Sequence, residues 1–123
     1  RDEPAIIGFG ESLTFQTKIG RKVIEARSRS LAQALMAGLR KIDGVHLWTH
    51  LDSERSGAVV TFRPGNLNIP KLSDALYKND RIGCATRTGS DRPGIRLSPH
   101  IYNTMAEVDR AVAAISKYMT QGV

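Results

Sequence analysis

The stretch KIGRKVIEARSRSLAQALMAGLRKIDG, residues 18–44, decides the fold class. Within it Ile24, Leu31, Leu35, Leu39 and Ile42 recur at spacings of seven, four, four and three, with Ala26, Ala32, Ala34 and Ala37 between them. That rhythm is one apolar stripe on an α-helix, so a long amphipathic helix is expected from about Lys18 to Lys41. Asp43-Gly44 stops it.

Downstream the rhythm changes. VHLWTH, residues 45–50, reads as a strand carrying the one tryptophan, and after the polar loop LDSERSG (51–57) the β-branched and aromatic run AVVTF (58–62) reads as a second strand that pairs with it. Pro64, Gly65 and Asn66 break that run. Asn68 can cap a short helix with Pro70 in its first turn, Ile69, Leu72, Ala75 and Leu76 on one face, and an end near Lys78-Asn79. Two further strands are expected over Ile82–Thr86 and Ile95–Ser98, separated by the turn-prone RTGSDRPG (87–94). Thr104-Met105-Ala106-Glu107 has the T-x-x-E form of a capping box and opens a closing helix whose stripe is Val108, Ala111, Val112, Ile115 and Met119. Upstream, Pro4 opens a short helix with Ile7, Phe9 and Phe15, weakened by Gly8 and Gly10. The order helix, strand, strand, helix, strand, strand, helix predicts an α+β fold. Its small, mostly antiparallel sheet has about four strands with helices packed against it, among them a long N-terminal helix and a closing C-terminal helix. One domain is expected, with residues 1–17 as a connecting helix and 18–123 as the body.

Composition narrows the class. A chain of 123 residues, 41% hydrophobic and 24% charged, suits one compact domain, and no apolar run approaches the ~20 residues that span a bilayer. Cys84 has no cysteine partner in the chain, and no basic-apolar leader precedes Pro4, so neither a disulfide scaffold nor a secretory signal is expected and a cytoplasmic setting is. The net charge of +6 comes from 18 Lys+Arg against 12 Asp+Glu. Between Lys18 and Lys41, seven cations face only Glu25, which reads as a solvated face or one that meets another domain, ahead of a nucleic-acid patch.

Motifs for several chemistries are missing. His46, His50 and His100 are the only histidines, and no CxxC or HExxH accompanies them, so no metal site is expected. His46 and His50, four apart in a strand, would stand about 13 Å from each other. There is no GxSxG, Walker loop or GxGxxG, and G-F-G at 8–10 does not replace them. The densest functional candidate is RTGSDRPGIRLSPHIYNT (87–104), where Arg87 and Arg92 lead into a strand with Arg96 and on to His100, Tyr102 and Asn103. Arginine's planar fork suits a carboxylate, which it can hold by two parallel charge-assisted hydrogen bonds. The alternative is that these arginines face solvent or pair with Asp91.

GIRLSPHIYNTMAEVDRAVAAI at 94–115 resembles the closing motif of class V aminotransferase-like enzymes, which depend on pyridoxal phosphate and include cysteine desulfurases and isopenicillin-N-epimerase-like proteins. The resemblance extends through RTG at 87–89, SGAVVTF at 56–62 and IGRKVIEARSRSLAQAL at 19–35, nearly the whole chain, as that family's carboxy-terminal small domain. It implies that a larger domain of the same enzyme, outside these 123 residues, supplies the cofactor lysine, the acidic partner of the pyridine nitrogen and most phosphate contacts. The small domain then helps to close the site of a homodimeric transferase, lyase or epimerase on an amino-acid substrate, and this chain alone is expected to be inactive. Arg96 matches the family arginine that holds the substrate α-carboxylate. Arg87, Arg92, His100 and Asn103 are possible cleft-lining residues on the same match. Lys18, Lys22, Lys41, Lys71, Lys78 and Lys117 match no family motif for the cofactor lysine. Many desulfurases carry their persulfide cysteine just after the R-T-G segment, where this chain has Ser90-Asp91-Arg92, so desulfuration is disfavoured. Cys84, expected inside a strand, reads as a small buried hydrophobe. The competing expectation is an independent basic α+β module that binds an acidic protein or nucleic acid through residues 18–41 and 87–96.

Overall fold

The computed structural model describes residues 2–123. The first helix, α1 (Glu3–Ile19), opens on Asp2, whose Oδ1 accepts from the Ala5 N–H at 3.2 Å, with Pro4 in the first turn. It has 17 residues and ends two residues beyond the connecting helix expected over 1–17, since Gly8 and Gly10 lower propensity without supplying a stop, and it buries no residue. Gly20 (φ +98°) is the break, and α2 runs Arg21–Leu39, so the long helix begins three residues later than its pattern suggested. The apolar stripe starts only at Ile24 and could not register an interruption upstream of it.

The remaining elements are β1 (Val45–Leu47), a single 3-10 turn (Ser53–Arg55), β2 (Val60–Pro64), α3 (Ile69–Asp80), β3 (Ala85–Arg87), β4 (Gly94–Leu97) and α4 (Met105–Gln121). The four strands form one sheet in the order β1-β2-β4-β3, antiparallel at every step. Val60 pairs with Leu97, Thr61 with Arg96 and Phe62 with Ile95 at its centre. Val60, Phe62, Pro64, Ile95 and Leu97 therefore share one face, all buried, under Leu31, Leu35 and Leu39 of α2 and Leu72 and Leu76 of α3. The α4 helix lies against both helices with Val108, Ala111, Ala114, Ile115 and Tyr118 buried. Gly38 of α2 faces Val112 of α4 so closely that an added Cβ would stand 2.7 Å from Val112 Cγ2.

Local chemistry sets several boundaries as expected. Asn68 Oδ1 accepts from the Lys71 N–H at 3.0 Å to start α3, and Thr104 and Glu107 complete the reciprocal capping box of α4. Elsewhere the boundaries move. The first strand stops at Leu47 instead of reaching His50, because the N–H groups of Trp48 and Thr49 both donate to the Thr61 carbonyl (2.9 and 3.3 Å) and leave the ladder. The second strand is shifted to Val60–Pro64, Pro64 being accepted as its last residue opposite Val45. Helix α3 continues to Asp80 and ends on Arg81, a non-glycine residue in the left-handed conformation (φ 57°). The next strand begins only at Ala85, so Cys84 stands before it and not inside it. Tyr118 joins the core although its polar tip kept it out of the expected stripe. Its hydroxyl finds Asp80 Oδ2 at 2.7 Å, which lets the ring be buried.

Candidate functional site

With α2 and α3 covering one face of the sheet, strand alternation turns the other set of side chains away from the helices. In one row across the sheet lie Trp48, Thr61, Arg96 and Ala85, and in the next His46, Arg63, Gly94 and Arg87. Arg63, Arg87 and Arg96 are exposed, whereas Thr61, flanked by Trp48 and Arg96, is only 7% exposed. Arg87 and Arg96 are diagonal neighbours on adjacent strands, a relationship that puts Cα atoms roughly 7–8 Å apart, within reach of one ligand for two long side chains. Arg92 lies in the exposed connection 88–93 that joins their strands. Among the described residues, the guanidinium groups of Arg87, Arg92 and Arg96 have no hydrogen-bonding or ion-pair partner, and Asp91 does not engage them. Three unneutralised cations on one helix-free face have the charge and hydrogen-bond donors to suit an anion.

The structure separates His100 and Asn103 from this group. They follow the C-terminal end of β4, whereas Arg87 and Arg92 stand at its N-terminal end. Asn103 is occupied: Oδ1 accepts from the His100 N–H at 2.8 Å, Nδ2 donates to Glu107 at 3.0 Å, and its carbonyl accepts from Arg27 Nη2 at 2.8 Å. His100 is exposed and stacks on Tyr102, ring centres 4.5 Å apart, beside a groove formed with Phe15, Ile19 and Ile101. The backbone and side-chain bonds made by Thr104 and Asn103 hold the Glu107 carboxyl below its usual range.

The aromatic part of the face escaped sequence reasoning. Trp48 registered only as a strand residue, yet its indole N–H donates to the Pro93 carbonyl at 2.9 Å and its ring meets His46 edge-on at 4.5 Å. Period-two alternation, with Ile95 and Leu97 flanking Arg96, was the available signal for the sheet's two faces. Across the expected strand 45–50 it groups Trp48 with His46, but no local pattern signals the indole bond to Pro93, 45 residues away. His50 also lies outside the strand, its Nδ1 accepting from the Asp52 N–H at 3.1 Å. Among the described residues no three potential ligands cluster around a metal position, and no helix is long and apolar enough to cross a membrane.

Other candidates are engaged elsewhere. Cys84 is half-buried, with Sγ 3.4 Å from Ser73 Oγ, and burial pushes its thiol pKa up, the opposite of what a reactive thiolate needs. In the basic segment, Arg27 is tied to Asn103, and Arg29 to the Ser56 carbonyl (2.7 Å) and Glu25 (2.9 Å), so two of its cations brace the fold.

Residues 3–111 match the family model for class-V aminotransferases. The chain is 30% identical over 121 residues to a probable cysteine desulfurase 2 of Mycobacterium leprae, covering 89% of this chain and 28% of that protein. It is 32% identical over 106 residues to an isopenicillin N epimerase of Streptomyces clavuligerus, covering 85% of this chain and 27% of the relative. The fold superimposes on a solved NifS-like protein with a TM-score of 0.78 at 24% identity, over 98% of this chain and 34% of that one. The chain thus spans less than a third of the length of these two curated relatives. A family match of this extent, together with the α+β architecture, leads to one conclusion: the chain belongs to the class-V aminotransferase family of pyridoxal-phosphate-dependent enzymes.

Proposed function

We propose that these residues form the small, substrate-closing domain of a pyridoxal-phosphate-dependent transferase, lyase or epimerase, and that Arg96 holds the α-carboxylate of its amino-acid substrate. The observation that carries the reading is the exposed, unpartnered Arg96 at the centre of the helix-free sheet face, with Arg87 diagonal to it. A forked, charge-assisted contact there would fix the substrate's orientation before any bond at Cα changes.

The residues of this chain do not fit a complete cofactor site. All six lysines are exposed and lie on helices or at their ends, none on the arginine face, and Lys117 is paired with Asp80 at 2.9 Å. When bound, the cofactor supplies the electron sink for chemistry at Cα. In this reading its lysine and phosphate contacts come from a larger domain of the same enzyme, in keeping with the share of the relatives that the chain spans, and these 123 residues alone are inactive. Homodimeric assembly and a cytoplasmic setting belong to the same reading, the second supported by the single, half-buried cysteine. Desulfuration is disfavoured by Ser90-Asp91-Arg92 after the R-T-G segment.

The experiment is Arg96→Ala against Arg96→Lys in the enzyme that joins this domain to a cofactor-binding one. Loss of a charge-assisted pair worth about 2–3 kcal/mol raises KM for the amino acid roughly 30- to 150-fold with cofactor content retained, and lysine restores only part of it. An unchanged KM in both variants removes the carboxylate assignment.

A further inference from the structure

We propose that Trp48 is a positioning residue for the arginine face: its indole ties the connection 88–93 to the far side of the sheet and so sets where Arg87 and Arg96 stand. That these arginines hold a carboxylate is taken from the reading above; that Trp48 positions them rests on geometry of its own. Strand alternation puts the Trp48 ring on the helix-free face beside His46, and the shared Thr61 carbonyl, which accepts from the Trp48 and Thr49 N–H groups, holds its backbone against β2. There the indole N–H, the side chain's single donor, meets the Pro93 carbonyl at 2.9 Å across 45 residues of sequence. The edge of His46 at 4.5 Å and 76° braces the ring from β1.

The connection has little else to hold it. Its other hydrogen bond among the described residues, Arg92 N–H to Ser90 Oγ at 3.0 Å, is internal. Thr88, Gly89, Asp91 and Arg92 are exposed, and no atom comes within 4 Å of a Cβ placed on Gly89. Pro93 is followed by Gly94, which lies so close to β2 that an added Cβ would stand 2.0 Å from the Phe62 carbonyl oxygen. One bond from Trp48 therefore clamps the connection just where it enters the strand that carries Arg96, and Arg87 is paired with Gly94 in that ladder. The tie joins the first edge strand to the hairpin at the opposite edge, so the spacing of the arginines depends on a residue that hydrogen-bonds to neither.

Trp48→Phe in the 123-residue chain keeps an aromatic ring and deletes the donor. Amide exchange across 88–92 and tryptic cleavage after Arg87 are expected to accelerate about three- to tenfold, the range set by one net hydrogen bond, while exchange at Val60–Phe62 stays unchanged. The backbone and Nε–H resonances of Arg87 and Arg96 should shift, and those of Arg27 should not, a signature that a general loss of stability would not produce. Unaltered exchange, or faster exchange with unmoved arginine resonances, overturns the inference. Should the variant fold poorly, the wild-type chain still decides: the Trp48 indole proton exchanges in step with the 88–92 amides if the bond is their clamp, and markedly faster exchange of the indole proton overturns it. Failure of the carboxylate reading shows separately, as an unchanged KM in Arg96→Ala while the Trp48→Phe effects persist.

Discussion

Replacing Gly94 with alanine tests how tightly the arginine hairpin is laid against the sheet. A Cβ at this position would lie 2.0 Å from the Phe62 carbonyl oxygen, 2.8 Å from its carbon and 3.3 Å from the Arg63 Cα, all backbone atoms of a central strand. Close carbon–oxygen contacts in sheets are about 3.3–3.6 Å, so β4 must retreat from β2 by more than about 1 Å. That stretches the ladder beside Phe62 and Ile95, both fully buried, and exposes their polar backbone to a site where no other partner is at hand. Two hydrogen bonds at about 1 kcal/mol each, with part of the 1–3 kcal/mol cost of an unsatisfied buried group, give a destabilisation of about 3–5 kcal/mol. Gly89→Ala is the control. It imposes a left-handed conformation (φ +72°) on alanine but meets no atom within 4 Å, and costs about 1 kcal/mol. Urea unfolding followed by far-ultraviolet circular dichroism measures both. A Gly94→Ala loss no larger than that of Gly89→Ala would refute the close-approach argument.

Three further outcomes follow from the packing and the charges. Gly38→Ala puts a Cβ 2.7 Å from Val112 Cγ2, so overpacking of about 1–3 kcal/mol outweighs the roughly 1 kcal/mol gain in helix propensity. In a Val112→Ala background the same change becomes neutral or stabilising, and an equal effect in both backgrounds contradicts the α2–α4 contact. The Lys117 ammonium and then the Tyr118 hydroxyl hold the Asp80 carboxyl below its usual range, so its contribution is present above the unfolded value near 4 and disappears as pH falls through the folded one. Wild-type and Asp80→Asn stability curves should differ at pH 7 and converge in acid; parallel curves down to pH 2 exclude this coupling. Cys84, its thiol pKa raised by burial, should react with iodoacetamide at pH 7.5 several-fold more slowly in the folded chain than in urea, and equal rates would contradict its placement.

Most of the architecture was legible because local chemistry and burial agree. Asn68 with Pro70 and Thr104 with Glu107 are caps written in a few residues, and Leu31, Leu35 and Leu39 repeat at helical spacing over a surface they bury. What escaped depends on distant partners. Trp48 leaves its strand for the Thr61 carbonyl, and Tyr118 is buried because Asp80 receives its hydroxyl. Arg81 ends α3 in a conformation that glycine or asparagine more often takes. Of the candidate site, Arg87, Arg92 and Arg96 could be read as one group since a single hairpin carries them. His100 and Asn103 are near in sequence but lie beyond the other end of β4, a separation that only the strand direction reveals.

Gly20 has a consequence for how α1 relates to everything after it. The helix buries none of its own residues and exposes Ile6, Ile7, Phe9 and Phe15, and it meets α2 through one residue at φ +98°, ψ 127°. Changing those two angles would re-aim seventeen residues while every core contact from Leu31 to Tyr118 stayed in place. The direction of α1 is therefore set outside the buried core, by the two angles at Gly20 and by the groove that Phe15 and Ile19 form with His100 and Ile101.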